Sequence, residues 1–387
     1  MKKLAIVTSH PIQYNAPLFE LLTERSNIDI KVFYTWGEAV LQKKYDPGFG
    51  KMVEWDIPLL NGYAYEFLKN IATEKGSHHF KGIDNPSIIE AIKKYHPDAV
   101  LVYGWAFKSH LKILRYFKNN IPVLFRGDST LLDESGFLSS LKRNLFLRWV
   151  YRHIDIALFV GKNNYGYFRK AGIKKKQLLF APHVVDNERF SCSSAICKTQ
   201  ALHFRNTLNV PYGDFVFLYA GKFEAVKDPA LIPEAFLSAR FPGNVHLVMV
   251  GNGNLEKELK GKYSLMPGIH FMDFKNQMEM PSVYEMADVF ILSSKSETWG
   301  LSINEAMANG KAVIVSDKCG CAADLVDEGM NGFVFKTADV TDLKDKMKLI
   351  YEKRDSLDGM KNASKEKIKE YSLTTLAVAV ENAVIHA

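Results

Sequence analysis

The sequence predicts an α/β protein built from two Rossmann-like, doubly wound parallel-sheet domains. Short apolar runs alternate with helix-length segments in both halves, and a polar, aperiodic stretch separates the two series. The first series is Leu4 to Val7, Ile30 to Tyr34, Ala99 to Tyr103, Val123 to Phe125 and Ile156 to Val160. The second is Phe215 to Ala220, Val245 to Val250, Val289 to Leu292 and Ala312 to Val315. Between them, Ser191 to Gln200 lacks apolar periodicity and reads as the linker. The expected domains are residues 1–190 and 201–371. A terminal amphipathic helix over 372–387, apolar at Leu373, Leu376, Ala377, Val380 and Val384, is expected to pack back on the first domain. Two open sheets of this kind are expected to bind ligand in a cleft between their carboxyl edges.

At 387 residues the chain is long for one core, and with 47% hydrophobic and 24% charged residues it has a globular composition. Met1-Lys2-Lys3 imitates the basic start of a signal peptide, but only four apolar residues follow, so the segment reads as a first strand. No run approaches the roughly eighteen apolar residues of a membrane span. A cytoplasmic location is expected, peripheral to the inner face of the cell membrane. Cys192, Cys197, Cys319 and Cys321 make neither a disulfide framework nor zinc-ligand spacing, so no metal is expected. Residues 1–195 carry 28 Lys and Arg against 18 Asp and Glu, whereas the rest carry 22 against 25. The basic half therefore suits an anionic partner.

The most informative stretch is Ser293 to Gly310, directly after the apolar run Val289 to Leu292, with Glu297 in a loop and Glu305 at the start of a helix. A strand feeding a loop and a helix sets backbone amides and the positive end of the dipole beside a ligand, which suits a phosphate. Two carboxylates there can accept hydrogen bonds from sugar hydroxyls. Ser302 and Glu305 also match a capping box, so Glu305 reads either as a cap or as a ligand group. Glu297 reads as a solvated loop carboxylate or as a sugar contact.

A second strand-to-helix junction, Gly221 to Pro229, carries Lys222 and Lys227, with Asp228-Pro229 expected as N-cap and first helical residue. The lysines read as solvated loop residues or as partners of a diphosphate. Gly251-Asn252-Gly253 lacks the lysine and serine of a phosphate-binding P-loop. In the first half, His10 leaves the first strand and reads as structural or as a proton-handling group. Arg126 and Asp128 leave a later strand, either as a local ion pair or facing a substrate. Phe137 to His153 is a basic amphipathic helix, compatible with an anionic bilayer or with a core and a solvated basic face. No recognition helix, zinc finger or RNA-binding signature accompanies the basic residues, so nucleic acid is not an expected partner.

Together these residues resemble the retaining nucleotide-sugar glycosyltransferases of family four, with the GT-B fold. The specific matches are Gly221-Lys222 with Lys227, the pair Glu297 and Glu305, and Glu328 to Phe333; His183-Val184-Val185-Asp186 stands where the family often has Asn-Gly-Val-Asp. The resemblance implies that Gly221, Lys222 and Lys227 hold the donor diphosphate, Glu297 the sugar hydroxyls and Glu305 the ribose. It also implies that the backbone of Trp299, Gly300 and Leu301 meets sugar or phosphate. The implied catalytic set is Glu297 and Lys227, with His10 and Asp128 from the first half. Base selection is expected from backbone and shape contacts near Phe271 to Lys275.

By the same resemblance, transfer keeps the anomeric configuration and needs neither metal nor cofactor beyond the donor. The family's usual Gly-Gly loop and His-Asp pair are replaced by Ser9-His10-Pro11 and Gly127-Asp128. His10, Arg126 and Asp128 are thus the acceptor-side candidates. The implied activity is sugar transfer from a nucleoside diphosphate sugar to a saccharide or lipid-linked saccharide in surface polysaccharide assembly. The alternatives are a sugar-nucleotide epimerase of the same fold, a phosphorylase, or a non-catalytic protein that binds nucleotide sugars or polyanions.

Overall fold

The computed structural model describes residues 1–38, 44–46, 48–133 and 137–386. The chain divides into two units, each made of discontinuous segments. The first comprises residues 1–43, 58–183 and 373–387, and the second 44–57 and 184–372.

The first unit holds β1 (Lys3–Thr8), β2 (Asp29–Tyr34), β5 (Ala64–Phe67), β6 (Ala99–Tyr103), β7 (Val123–Arg126), β8 (Ile156–Phe159) and β9 (Leu178–Phe180). They form one sheet in the order β5-β2-β1-β6-β7-β8-β9, every pair parallel. The five apolar runs expected here are strands. The two edge strands escaped sequence reading because β5 (Ala64-Tyr65-Glu66-Phe67) is mixed in polarity and β9 is only three residues long. Ala5, Val7, Val100, Val102, Val123 and Phe125 join helix side chains such as Ile92, Leu114 and Phe168 in one core. The helix Leu373–Ile385 belongs to this unit: Glu381 accepts from Arg25 at 2.7 and 2.9 Å, and Lys2 caps the last turn through the carbonyls of Val384 and Ile385 at 3.1 Å. A lysine at a helix C-terminus pairs with carbonyls that have no intrahelical donor.

The second unit carries β10 (Phe215–Ala220), β11 (Val245–Val250), β12 (Ile269–Met272), β13 (Val289–Leu292), β14 (Ala312–Ser316) and β15 (Gly332–Phe335), in the parallel order β12-β11-β10-β13-β14-β15. Side chains of β10, β11 and β13 are buried without exception, which is why those strands read as continuous apolar runs. This unit also includes an arm from the N-terminal half, an antiparallel hairpin of β3 (Lys44–Asp46) and β4 (Lys51–Val53).

The chain passes from one unit to the other between His183 and Val184, ahead of the expected linker. That polar stretch is half helical, since Ser194 caps the helix Ala195–Thr207 by accepting from the amide of Cys197 at 3.2 Å. The turn brings Cys192 and Cys197 together as a disulfide, a local bridge that the spacing did not suggest. Among the described residues, no helix is long and apolar enough to cross a membrane.

Candidate functional site

In the second sheet the winding reverses between β10 and β13, adjacent strands whose outgoing loops therefore splay apart. Ligands of open α/β sheets bind at this switch point, outside the carboxyl ends of the strands. Those two loops carry the donor-side candidates.

They are stitched together by hydrogen bonds. Ser293 Oγ donates to the carbonyls of Lys227 and Asp228 at 2.8 and 3.0 Å, the amide of Lys295 donates to Val226 at 2.8 Å, and Lys295 pairs with Asp228 at 3.0 Å. Across this seam the ammonium of Lys227 forms an ion pair with Glu297. Glu297 is further fixed by its backbone: its amide donates to Lys318 at 3.2 Å and its carbonyl accepts from Gly320 at 2.9 Å, forming a bridge with Cys319. It is thus not the solvated loop carboxylate that one reading of the sequence allowed. Lys222 occupies the same β10 loop, where its carbonyl accepts from Tyr219 Oη at 2.8 Å. A Cβ at Gly221 would lie 3.0 Å from that hydroxyl, a tight contact that the Tyr219 ring would have to relieve by a small shift.

Two local expectations are corrected. Asp228 is not an N-cap: it adopts a left-handed φ of 48°, ends the 3-10 turn Ala225–Lys227, and the next helix starts at Leu231 with Ala230 before it. Nor does Ser302 form a capping box with Glu305. The helix Leu301–Ala308 starts two residues earlier than that box requires, behind Gly300 at φ 104°, and has no side-chain cap. Gly300 is required there, because a Cβ would meet Leu292 at 2.8 Å. Glu305 is consequently in the second helical turn, 3% exposed, and accepts from Tyr284 Oη at 2.6 Å. Trp299 turns its ring inward, donating to Asn304 at 2.9 Å, so that Gly300 and Leu301 form the backbone at the helix N-terminus.

Sequence reasoning missed Ser293 and Tyr284. The Ser293-Ser294 step after an apolar strand was a usable signal for the first; Tyr284 lies 21 residues before Glu305 and has no local signature.

The acceptor-side candidates belong to the first unit. Arg126 is buried and spends its guanidinium on the carbonyls of Ala181 and Pro182 at 2.6 and 2.7 Å, burial pushing its pKa down. It positions the 181–183 turn, and its expected partner Asp128 instead lies 3.6 Å from His183. His10 Nδ1 is 2.9 Å from Ser9 Oγ, and its ring meets Trp36 edge-on at 5.1 Å. A second histidine, unnoticed in the sequence, lies under this edge. His110 sits 2.9 Å from Thr35 Oγ1 through Nε2 and 3.0 Å from the carbonyls of Tyr103 and Gly104 through Nδ1. Burial pushes its pKa down to about 4.

No cluster of metal-ligating side chains occurs among the described residues.

Residues 202–367 match the family described as glycosyl transferases group 1. The chain is 23% identical over 314 residues to the sulfoquinovosyl transferase SQD2 of Arabidopsis thaliana, covering 77% of this chain and 58% of that one. It is 24% identical over 256 residues to the N,N'-diacetylbacillosaminyl-diphospho-undecaprenol alpha-1,3-N-acetylgalactosaminyltransferase of Campylobacter jejuni, covering 64% of this chain and 65% of that one. The match thus spans less than two thirds of the length of either relative. Among solved structures, Anabaena Alr3699/HepE in complex with UDP and glucose superimposes with a TM-score of 0.71 over the whole of both chains at 15% identity, a likeness of fold. Residues 202–367 thus carry the match to glycosyl transferases group 1, and the chain as a whole has the two Rossmann-like α/β units of the GT-B fold.

Proposed function

We propose that this protein is a retaining glycosyltransferase that moves a sugar from a nucleoside diphosphate sugar to a lipid-linked saccharide during surface polysaccharide assembly. The Lys227–Glu297 pair, held across the seam between the β10 and β13 loops, carries the reading. A lysine and a carboxylate fixed side by side at a switch point match a ligand that has an anionic leaving group next to a hydroxylated ring. Lys222, Lys227 and the helix amides after Gly300 receive the diphosphate, Glu297 the sugar hydroxyls and Glu305 the ribose. The bond between C1 and the phosphate oxygen breaks while an acceptor oxygen bonds C1 on the same face, and the acceptor proton passes to the departing phosphate. With cationic groups supplying the charge, the step is assigned no metal. The Campylobacter relative, named for an undecaprenol-diphosphate-linked acceptor, supports a lipid-linked one here.

The helix Phe137–Tyr151 supports a membrane-peripheral location on the cytoplasmic side. Its Leu145 and Phe146 are exposed, Trp149 stacks on Arg115 with 5.6 Å from guanidinium carbon to ring centre, and Arg148 and Arg152 lie nearby in the chain. Phe137, Leu138 and Leu141 of the basic amphipathic segment lie outside the residues whose side chains are described.

A thermal-shift panel of UDP, GDP, ADP, dTDP and CMP sugars tests the donor assignment, and absence of a shift with every one of them sinks it. The anomeric configuration of the product, read by NMR, tests retention. Co-sedimentation with anionic against zwitterionic vesicles tests the membrane surface, and equal recovery with both removes it.

A further inference from the structure

The arm 44–57 leaves the sequence of the first half and folds on the loops that follow β11 and β12. Asn276 Nδ2 donates to the carbonyl of Glu54 at 2.7 Å, and the amide of Met278 donates to the Asp56 carboxylate at 3.2 Å. Between these anchors Phe274 is the hub. The Lys51 ammonium lies 4.3 Å from its ring centre, Phe49 meets it edge-on at 4.6 Å and Trp55 lies at 6.5 Å. Lys51 also donates to Asn252 at 3.1 Å, and that same amide oxygen accepts from the Phe274 backbone at 2.9 Å. Asn252 sits in the turn whose glycines allow close approach to the Gly221–Phe223 backbone: Gly251, at φ 143°, could not carry a Cβ without striking the carbonyl of Gly221.

The arm reaches the donor lysine directly. Lys222 lies 4.9 Å from the Phe49 ring centre, and a Cβ at Gly48 would fall 2.7 Å from the Lys222 ammonium. One strand of contacts therefore runs from Lys222 through Phe49 and Phe274 to Lys51.

We propose that Phe49 and Lys51 of this arm, with Phe274, form one wall of the nucleoside end of the donor site, the contacting rings lining one side of the base and Lys51 adding positive charge at that end while Lys222 meets the diphosphate at the other. The inference rests on the donor reading of the β10 and β13 loops. A pair of contacting rings with a lysine at each end suits a flat base joined to an anion.

The test is nucleotide binding by the full-length protein, followed through Trp55 fluorescence and calorimetry with UDP, GDP, ADP, CDP and dTDP. Phe49→Ala and Lys51→Ala are each expected to weaken binding of the preferred nucleotide by roughly five- to tenfold. Lys51→Gln is expected to behave as Lys51→Ala, and both to flatten the salt dependence. Met52→Ala, an exposed position on the same arm, serves as the control and should bind as wild type. In transfer assays Phe49→Ala and Lys51→Ala should raise the donor KM more than they lower kcat. Wild-type binding matched by both variants overturns the role of the arm and leaves the donor reading standing. Failure of the wild type to bind any of the five overturns both.

Discussion

Both units are doubly wound parallel sheets, yet they use their ionisable side chains at the carboxyl edge in opposite ways. In the second unit, Lys227 and Glu297 are paired across two loops that other hydrogen bonds already hold, and they remain partly exposed at 26% and 18%. In the first, Arg126 is buried against two carbonyls and His110 is locked among a hydroxyl and two carbonyls. Charges that stay at the surface of a braced loop are available to a ligand. Polar groups that satisfy buried backbone carbonyls shape the loop and are consumed in doing so.

The largest test of this contrast is activity against stability. Lys227→Ala and Glu297→Ala should each reduce kcat by about 10²–10³, as for removal of a group that stabilises developing charge. Both should lower stability by only about 1 kcal/mol, because an ion pair with this much exposure is weak. Turnover assays beside chemical denaturation check it, and near-normal turnover in either variant would dissolve the contrast from the donor side.

Arg126→Ala should show the reverse balance. It leaves the carbonyls of Ala181 and Pro182 without their donors and should destabilise the protein by about 2–4 kcal/mol. Nucleotide binding to the folded variant should be unchanged. A loss of acceptor affinity in Arg126→Lys with stability retained would instead make Arg126 a substrate contact.

The smallest effect is a pH dependence. His110 is neutral when folded, with its pKa pushed down to about 4 by burial, whereas in the unfolded chain it titrates near the ordinary 6.5. Between those values the unfolded state binds the extra proton, so stability is full above pH 6.5 and falls as pH drops toward 4. His270, also pushed down to about 4 by burial, adds to the same slope from the second unit. Melting temperatures across this window should decline, less steeply in His110→Gln. An unchanged slope in that variant would show that the first unit's histidine does not report on its buried state.

The sequence made nine of the parallel strands legible because central strands buried on both faces are unbroken apolar runs, as in Phe215 to Ala220. The edge strands and the hairpin stayed hidden, β5, β12 and the hairpin because their polarity is mixed and β9 and β15 because they are short. Glu297, Lys222 and Lys227 were readable because each sits within a few residues of a strand end. What they touch was not: Lys227 and Glu297 are 70 residues apart, and Tyr284 meets Glu305 from a different helix. The misread helix starts share one cause, since a glycine or aspartate with positive φ moved the cap by two residues against the polar cap pattern.

The last helix, Leu373–Ile385, belongs to the unit that the chain starts. During synthesis the second unit therefore has all its strands available while the first still lacks the partner of Arg25 and Lys2. Until Glu381 is made, helix Ala16–Arg25 lacks the helix that lies beside it and the carboxylate that pairs with Arg25. The first unit is therefore completed only when the last helix has been made, and a product cut short before Leu373 lacks the Arg25–Glu381 pair and the Lys2 cap.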